Sequence, residues 1–313
     1  MSDLYFRKKI ITLELESTYN TDPTPVAADA IQTSNLRIKP YGGPRVSRDL
    51  DRIVVGAQEE INTAPNTEIT FDAEIVGSGT AGTAPNIDKA LQSCGLNATV
   101  VAATSVTYAP VDPEDIESCT IYFYLDGQIH KISGCRGTWS LNLSAGQIPR
   151  YSFRFLGLFT APVAGSLVTP TFTASGVAIP VTKTNTPTAT LDSAAIAFRT
   201  LSIDGGNELI HDNIPNRNEV FVPDRNITGN LEMLAQNIGT KNWLSLVRSD
   251  AGVSKVALNV VHGTTAGNIV TINGPKVQLL DIDYPDQNKR VGMSFPMKFI
   301  PNSGNDEITI AYT

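Results

Sequence analysis

Hydrophobic and polar residues alternate over several short stretches of this chain, the pattern of an antiparallel β-strand with one buried and one exposed face. In residues 69–75 the apolar positions Ile69, Phe71, Ala73 and Ile75 alternate with the polar positions Thr70, Asp72 and Glu74. A short strand ending at Ser133-Gly134 precedes two further alternating strands in 138–143 and 151–155. These three strands are predicted to form a β-meander, and the chain is predicted to be mainly β.

The meander of residues 129–159 returns in residues 269–300, and the elements before it return in the same order. Ile132-Ser133-Gly134 matches Ile272-Asn273-Gly274 at an offset of 140, and Tyr151, Phe153 and Phe155 match Met293, Phe295 and Met297 at 142. Ile31 and Leu36 match Ile196 and Leu201 at 165, and residues 67–75 match 225–233 at 158. Because this order is collinear, we predict an internal duplication.

The duplication predicts two tandem β-sandwich or barrel domains joined by a connector. The first domain spans residues 1–160 with a long loop at 16–28, the connector spans 161–192, and the second domain spans 193–313. Each domain is predicted to carry one short helix. In the first, Ile87, Ala90, Leu91 and Cys94 share a face and Gly95 ends the helix; in the second, Trp243, Leu246 and Val247 take their place.

Composition agrees with two ordered β domains. The 313 residues suffice for two cores, 41% are hydrophobic, and 24 Gly with 19 Pro suit many turns. A net charge of −7 argues against a surface that holds nucleic acid by neutralising phosphates, although nucleic acid could still slide past it. No apolar run has the length of a membrane span, and the first residues lead into no signal-peptide core. We therefore expect a soluble protein made in a cytoplasm.

Motifs that could carry chemistry have simpler interpretations. Residues 77–82 read GxGxxG, but the preceding strand carries Asp72 and Glu74 and no βαβ unit follows, so a flexible loop is expected. His211-Asp212 has no GxSxG nucleophile elbow to complete a triad. The histidines show no metal-ligand spacing, and Cys94, Cys119 and Cys135 form no CxxC motif. No catalytic residue, metal or cofactor is predicted, and the chain is not expected to be an enzyme.

Several segments together resemble the major tail tube proteins of long-tailed bacteriophages. They are residues 16–23, 69–94 with Gly-Ser-Gly-Thr-Ala-Gly-Thr-Ala-Pro, 134–158, 262–271, 275–279 and 304–310. The resemblance implies a β-sandwich whose inner sheet joins those of its neighbours around a lumen, in rings that stack into the tube through which DNA leaves the virion. Six such domains form a ring, so a homotrimeric, pseudo-hexameric ring is the first expectation and a homohexamer the second.

The same resemblance implies assembly in the host bacterial cytoplasm, localisation in the virion, and tape measure, tail terminator and distal tail proteins as partners. Double-stranded DNA is expected to pass through the lumen without specific binding. The alternative in the same structural class is a tube component of a contractile injection or secretion system. A hydrolase hidden in an all-β domain is the alternative from another class, and a monomer that turns over a substrate would favour it.

Two sets of residues are predicted to serve the tube. The first set consists of polar positions on strands and is expected to face the lumen: Thr70, Asp72, Glu74, Thr138, Ser140, Asn142, Thr228, Asn230 and Glu232. The second set lies in loops and is expected to make contacts between subunits or rings: Tyr19, Asp22, Arg48, Asp49, Arg52, Glu59, Glu60, His211, Asp212 and Arg217.

Overall fold

A computed structural model describes residues 3–172, 176–250 and 252–313 and shows a mainly β protein, as predicted. The first strands are β1 (Lys9–Leu15), β2 (Ala30–Ile31), β3 (Ser34–Gly42), β4 (Arg45–Ser47), β5 (Glu60–Asn62), β6 (Asn66–Glu74), β7 (Leu96–Val101), β8 (Ser105–Pro110), β9 (Cys119–Leu125), β10 (Gln128–Ser144), β11 (Arg150–Leu158) and β12 (Val163–Ala164). The later strands are β13 (Thr188–Leu191), β14 (Ala194–Ala195), β15 (Phe198–Asp204), β16 (Ile210–Ile214), β17 (Arg217–Phe221), β18 (Thr228–Leu234), β19 (Val256–His262), β20 (Val270–Leu279), β21 (Asp286–Gln287), β22 (Arg290–Phe299) and β23 (Thr309–Tyr312).

The predicted short helices are confirmed as α1 (Asp88–Gln92) and α2 (Trp243–Val247). Gly95 follows α1 with a φ of +77°, a left-handed conformation that glycine adopts without strain. Short 3₁₀ turns occupy Ala27–Asp29 and Pro113–Asp115.

A continuous antiparallel sheet, here called the large sheet, organises the fold. Its strand order is β3-β6-β11-β10-β15-β18-β22-β20, so strands from both halves of the chain lie in one sheet. A smaller sheet, with the order β2-β1-β9-β10-β12, packs against the first half of it. Strand β10 belongs to both sheets, because its first part pairs with β9 and its later part with β11 and β15.

Strand β20 repeats this behaviour in the second half of the chain. Its residues 270–273 pair with β19 and β23, whereas Val277, Gln278 and Leu279 pair with β22 in the large sheet. The outer layer here also includes β13 on β19 and the hairpin of β7 and β8 on β23. The β7–β8 hairpin lies within the predicted first domain and β13 within the predicted connector, so the two halves of the chain interlock.

The core lies between these layers and is built by the alternation seen in the sequence. The ring of Phe71 lies 5.2 Å from that of Phe153 and 5.9 Å from that of Phe155, measured between centroids. Trp139 packs edge-on against Tyr151, and all of these side chains are buried. In the second half Trp243 of α2 lies 6.0 Å from Phe295. Helix α1 adds Ala90 and Leu91 to the same core.

Two expectations about local structure need correction. Residues before and after Ser133-Gly134 do not form separate strands, because β10 runs unbroken through them. Gly134 has a φ of +59° and lies in a shift of the ladder register between Ile132 and Cys135. A glycine bulge therefore bends the strand from one sheet into the other, where the sequence suggested an ending.

The second correction concerns the register of the predicted repeat at β6. Ile38 lies opposite Ile69, and its counterpart Ile203 lies opposite Gly229. Phe71 lies opposite Phe153, and the counterpart of Phe153, Phe295, lies opposite Leu231. Both neighbouring ladders thus place β18 at an offset of 160 from β6, in place of 158. A shift of two residues preserves the inward and outward faces of a strand, so alternation alone could not detect it.

The N-terminal loop 16–28 is attached to the smaller sheet by a buried carboxylate. The side chain of Glu16 accepts hydrogen bonds from the hydroxyls of Ser118 (2.7 Å) and Thr120 (2.6 Å). It also accepts from the backbone amides of Gly134 and Asn20, at 2.7 Å each. Four donors around a residue that is 5% exposed compensate for the removal of its charge from water.

Replacing Glu16 with alanine is expected to lower the free energy of unfolding by roughly 2 to 4 kcal/mol, because buried donors lose a charged acceptor. Denaturant titration followed by tryptophan fluorescence would measure this loss. The matched control is Glu117→Ala, which removes an exposed carboxylate beside Ser118 and should change stability by less than about 0.5 kcal/mol. Equal effects of the two substitutions would contradict the structural role assigned to Glu16.

Candidate functional site

One face of the large sheet is buried against the outer layers, and the other is polar. All nine residues of the first predicted set lie on this polar face, joined in rows by direct cross-strand pairing. Asp72 lies opposite Ser152, and the row continues through Ser140 and Asp204 to Thr228. The remaining members occupy three parallel rows. One row contains Thr70 and Thr138, the next contains Glu74, Asn142 and Asn230, and the last contains Glu232, which lies opposite Thr200. The structure therefore groups these residues, although their orientation toward a lumen stays a prediction.

Basic residues that the prediction left out neutralise much of this face. The guanidinium of Arg154 lies 2.8 Å from the carboxylate of Glu68, and that of Arg150 lies 3.8 Å from Glu74. Arg154 already occupied a polar position of the alternation in 151–155, so the sequence contained the signal for it. The carboxylate of Asp72 has no basic partner among the described residues, but it accepts hydrogen bonds from Ser152 (2.7 Å) and Asn35 (2.6 Å). Acidic side chains on this face are thus held in neutral or hydrogen-bonded pairs.

The middle of the large sheet is an edge-to-edge junction between the two halves of the chain. There β10 and β15 pair over residues 140–144 and 200–204. The first half contributes β3-β6-β11-β10 and the second half contributes β15-β18-β22-β20. The sheet consequently has one outer edge in each half.

Both outer edges are open in the described part of the chain. Strand β3 pairs with β6 on one side only. At the other edge, residues 280–287 continue β20 along β22, where Asp283 and Ser294 exchange backbone hydrogen bonds of 3.0 and 2.9 Å. The neighbouring amides of Ile282 and Tyr284 point away from β22 and donate to the side chains of Asp281 and Asp283, both at 2.8 Å. Local carboxylates thus satisfy donors that a further strand could use.

Two hairpins lie at the end of the sheet where β3 and β15 terminate, and they carry eight members of the second predicted set. The first is called the arm and consists of β4, β5 and the loop between them, residues 45–62. It carries Arg48, Asp49, Arg52, Glu59 and Glu60, and its loop exposes Ile53, Val54 and Val55. Arg48 lies 3.6 Å from Glu59, with both side chains more than half exposed.

The second hairpin consists of β16 and β17 and carries His211, Asp212 and Arg217. The Nε2 atom of His211 lies 2.8 Å from the side-chain oxygen of Asn218, and Arg217 forms an ion pair with Glu219. Asp212 lies directly opposite Glu219 in the ladder. These side chains contact one another within the hairpin, and their predicted part in contacts between subunits stays a prediction.

Tyr19 and Asp22, the other members of that set, form bonds inside the chain. The hydroxyl of Tyr19 accepts from the backbone amide of Val220 (2.6 Å) and donates to the carbonyl oxygen of Gly134 (3.2 Å). Burial raises the pKa of Tyr19 to about 12, so the hydroxyl keeps its proton at neutral pH and can donate. The carboxylate of Asp22 accepts from the hydroxyl of Tyr122. Tyr19 therefore connects the N-terminal loop to the second hairpin.

The GxGxxG loop and the three cysteines, which were considered for nucleotide binding and for metal or disulfide chemistry, have structural contacts instead. In the GxGxxG loop the amide of Gly79 donates to the carbonyl of Gly267 (3.0 Å), and that of Gly77 donates to the side chain of Asn268 (2.8 Å). Cys94, Cys119 and Cys135 are buried free thiols, and burial raises the pKa of Cys94 well above its ordinary value. Residues 3–172, 176–250 and 252–313 contain no group of three potential metal ligands. None of their helices is long and apolar enough to cross a membrane.

The family profile described as phage tail tube protein matches residues 13–313, nearly the whole chain. No curated protein matches the sequence.

Removing the hydroxyl of Tyr19 is expected to loosen the second hairpin. In Tyr19→Phe the amide of Val220 loses its acceptor in a buried position, at a cost of roughly 1 to 2 kcal/mol of unfolding free energy. Chemical denaturation of the purified variant would measure the change. Tyr5→Phe is the control, since Tyr5 is largely exposed. An unchanged midpoint for Tyr19→Phe would show that this bond does not stabilise the fold.

Proposed function

The chain belongs to the phage tail tube protein family, and we propose that it is a structural virion protein whose rings stack into the tube that conducts the genome into the host. The observation that carries the proposal is the β10–β15 junction. There, two four-stranded half-sheets already join edge to edge, leaving an unpaired edge at each end of the large sheet. Unpaired strand edges favour association with further strands, and closure into a barrel removes them.

The internal junction also indicates how the outer edges pair between copies. Strand β3 corresponds to β15 at an offset of 165. At the other edge Asp283 pairs with Ser294 as Ser140 pairs with Ser152, so residues 280–287 correspond to the later part of β10 at an offset of 143. Residues 35–39 and 283–287 are then the counterparts of 200–204 and 140–144. Antiparallel pairing of these two segments between neighbouring chains extends the large sheet without interruption. It also gives the amides of Ile282 and Tyr284 backbone acceptors in place of their local carboxylates.

A closed ring of six half-sheets requires three chains, so we propose a homotrimeric, pseudo-hexameric ring. A homohexamer is the second candidate. This stoichiometry depends on the two corresponding half-sheets, each with four strands of the large sheet and one short helix. We further propose that rings stack through the loops at the sheet ends and that tape measure, tail terminator and distal tail proteins complete a tail assembled in the host cytoplasm.

The polar face of the large sheet suits passage of DNA without retention. Affinity for DNA comes chiefly from cations that displace the counterions of phosphates. Here the guanidinium groups of Arg150 and Arg154 are already paired with Glu74 and Glu68. The further cations on this face, Arg37, Lys39 and Lys298, are matched in number by the carboxylates of Asp72, Asp204 and Glu232. We propose that this face lines the lumen. A tube of a contractile injection system remains the alternative, because the same sheet could enclose a different cargo.

The ring proposal predicts that the purified protein assembles, and that native mass spectrometry gives a multiple of three chains. End-on averages in electron microscopy should show six similar densities that alternate in a threefold pattern, since the two half-sheets differ in sequence. Six identical densities with six chains would support the hexamer instead. A protein that stays monomeric at all concentrations and forms neither rings nor tubes would contradict the proposed function.

Lysine substitution of Asp72 and Glu74 tests the assignment of the lumen face. The double variant Asp72→Lys/Glu74→Lys leaves Arg150 unpaired and adds two cations, so phages carrying it should release DNA more slowly. Dye-monitored ejection at increasing salt would measure this, and the delay should diminish as salt rises. Asp250→Lys is the control, at an exposed turn after α2. Normal ejection from tails of normal length would count against the assignment.

A further inference from the structure

The arm and the second hairpin occupy corresponding places in the two halves of the chain. Each hairpin follows an edge strand of a half-sheet, the arm after β3 and the second hairpin after β15. A Gly-Gly pair precedes each one, at Gly42-Gly43 and at Gly205-Gly206, an offset of 163. Gly43 and Gly206 both have positive φ, and a Cβ on either would lie 2.2 Å from a backbone oxygen of the segment that follows the hairpin. The chain therefore makes the same turn into both hairpins.

The second hairpin is seated on the other half of the same chain. Val220 is fully buried against Leu156 and Leu158 at the end of β11, with Leu209 beside it. Arg136 of β10 donates from Nη1 to the carbonyl oxygen of Val220 (2.9 Å). This seat follows from the β10–β15 pairing, because that junction brings the end of β15 beside β10 and β11.

The arm has equivalent apolar residues, but in the described part of the chain they are not packed against another element. Val46 corresponds to Leu209 at the offset of 163, and Val46 lies opposite Ile61 in the β4–β5 ladder. Both side chains are 56% exposed. When the β4–β5 ladder is aligned with the β16–β17 ladder in this way, Glu59 of the arm occupies the position of the buried Val220 of the second hairpin. The arm thus presents an apolar pair next to a carboxylate that is 74% exposed.

A matching surface lies at the end of β22. At the offset of 142, Lys298 and Ile300 correspond to Leu156 and Leu158, the residues that seat the second hairpin. Lys298 is exposed and Ile300 is half-buried. They line an open groove together with Phe299 and Pro301, and the charged side chains of Asp112, Asp224, Arg225 and Glu307 lie around it. Leu156, which contacts Val220 inside the chain, thus corresponds to a lysine on this surface, just as Val220 corresponds to Glu59 on the arm.

We propose that the arm of one copy docks on the end of β22 of a neighbouring copy, with Glu59 facing Lys298 and the Val46–Ile61 pair covering Ile300. The occupant is a second copy of this chain, because pairing of β3 with the neighbour's β20 edge repeats the β10–β15 junction and carries the arm to this place. The contact rests on the proposed ring. In this contact Glu59 and Lys298 connect one chain to the next by an ion pair, whereas the corresponding contact inside the chain is apolar.

Charge reversal tests the ion pair. Glu59→Lys and Lys298→Glu each place like charges in contact, so each should raise the protein concentration at which half of the chains are assembled by roughly tenfold. The double variant Glu59→Lys/Lys298→Glu restores opposite charges and should return this concentration to near the wild-type value. Mass photometry across a dilution series would measure assembly, and circular dichroism would confirm that each variant is folded. Asp250→Lys serves as the matched surface control.

Cysteine cross-linking tests the same contact without relying on charge. Val46→Cys/Ile300→Cys should form disulfides between chains on mild oxidation, and the ladder of linked species should end at the ring size. Either single variant should remain uncrosslinked, since the three native cysteines are buried and free.

The outcomes separate this proposal from the ring itself. Wild-type rings with no cross-linking and no rescue by the double variant would overturn the arm contact and leave the proposed function standing. A wild-type protein that never forms rings would overturn the proposed function.

Discussion

The pairing of strand edges is the constraint on which this structure depends. Backbone amides and carbonyls at a sheet edge need partners, and the chain supplies them in the middle of the large sheet by joining residues 140–144 to 200–204. That junction places the second hairpin on β11 and interlocks the two halves. At the outer edge Asp281 and Asp283 bond the amides of Ile282 and Tyr284, so that edge is partly satisfied in a single chain. Such local bonds limit uncontrolled pairing and can be exchanged for a neighbouring strand.

The two faces of the large sheet meet opposite requirements with the same alternation. Its inner side chains, such as Phe71, Phe153 and Trp139, are buried and fix the spacing between layers. Its outer side chains form rows in which Arg150 and Arg154 lie beside Glu74 and Glu68. A face built only of carboxylates would repel DNA, but its like charges would also repel one another and destabilise the sheet. Paired charges keep the surface hydrated and close to neutral. The pairing therefore serves both the stability of the sheet and the proposed passage of DNA.

Much of this arrangement could be predicted from alternation, because burial of one face forces a period of two. That period identified β6 and β11, and it grouped Thr70, Asp72 and Glu74 with Thr138 and Asn230 on one face. It could not set the repeat register at β6, since a shift of two residues leaves the faces unchanged. The pairing of β8 with β23 depends on contacts about 200 residues apart in sequence, which a local pattern cannot predict. The role of Glu16 was missed for a similar reason, because its donors come from distant strands.

The predicted duplication also gives a reason why corresponding contacts in the two halves differ in polarity. In the proposed ring, the seat of Val220 on Leu156 lies inside one chain and forms as the chain folds, so its apolar surface is never presented to solvent by the finished molecule. The corresponding contact between chains forms only on assembly, and until then both of its surfaces are exposed. Large exposed apolar patches promote indiscriminate association, whereas charged residues keep such surfaces soluble and select a complementary partner. In the proposed contact, Glu59 and Lys298 take the places of a valine and a leucine. They keep both surfaces soluble before assembly and select a complementary partner.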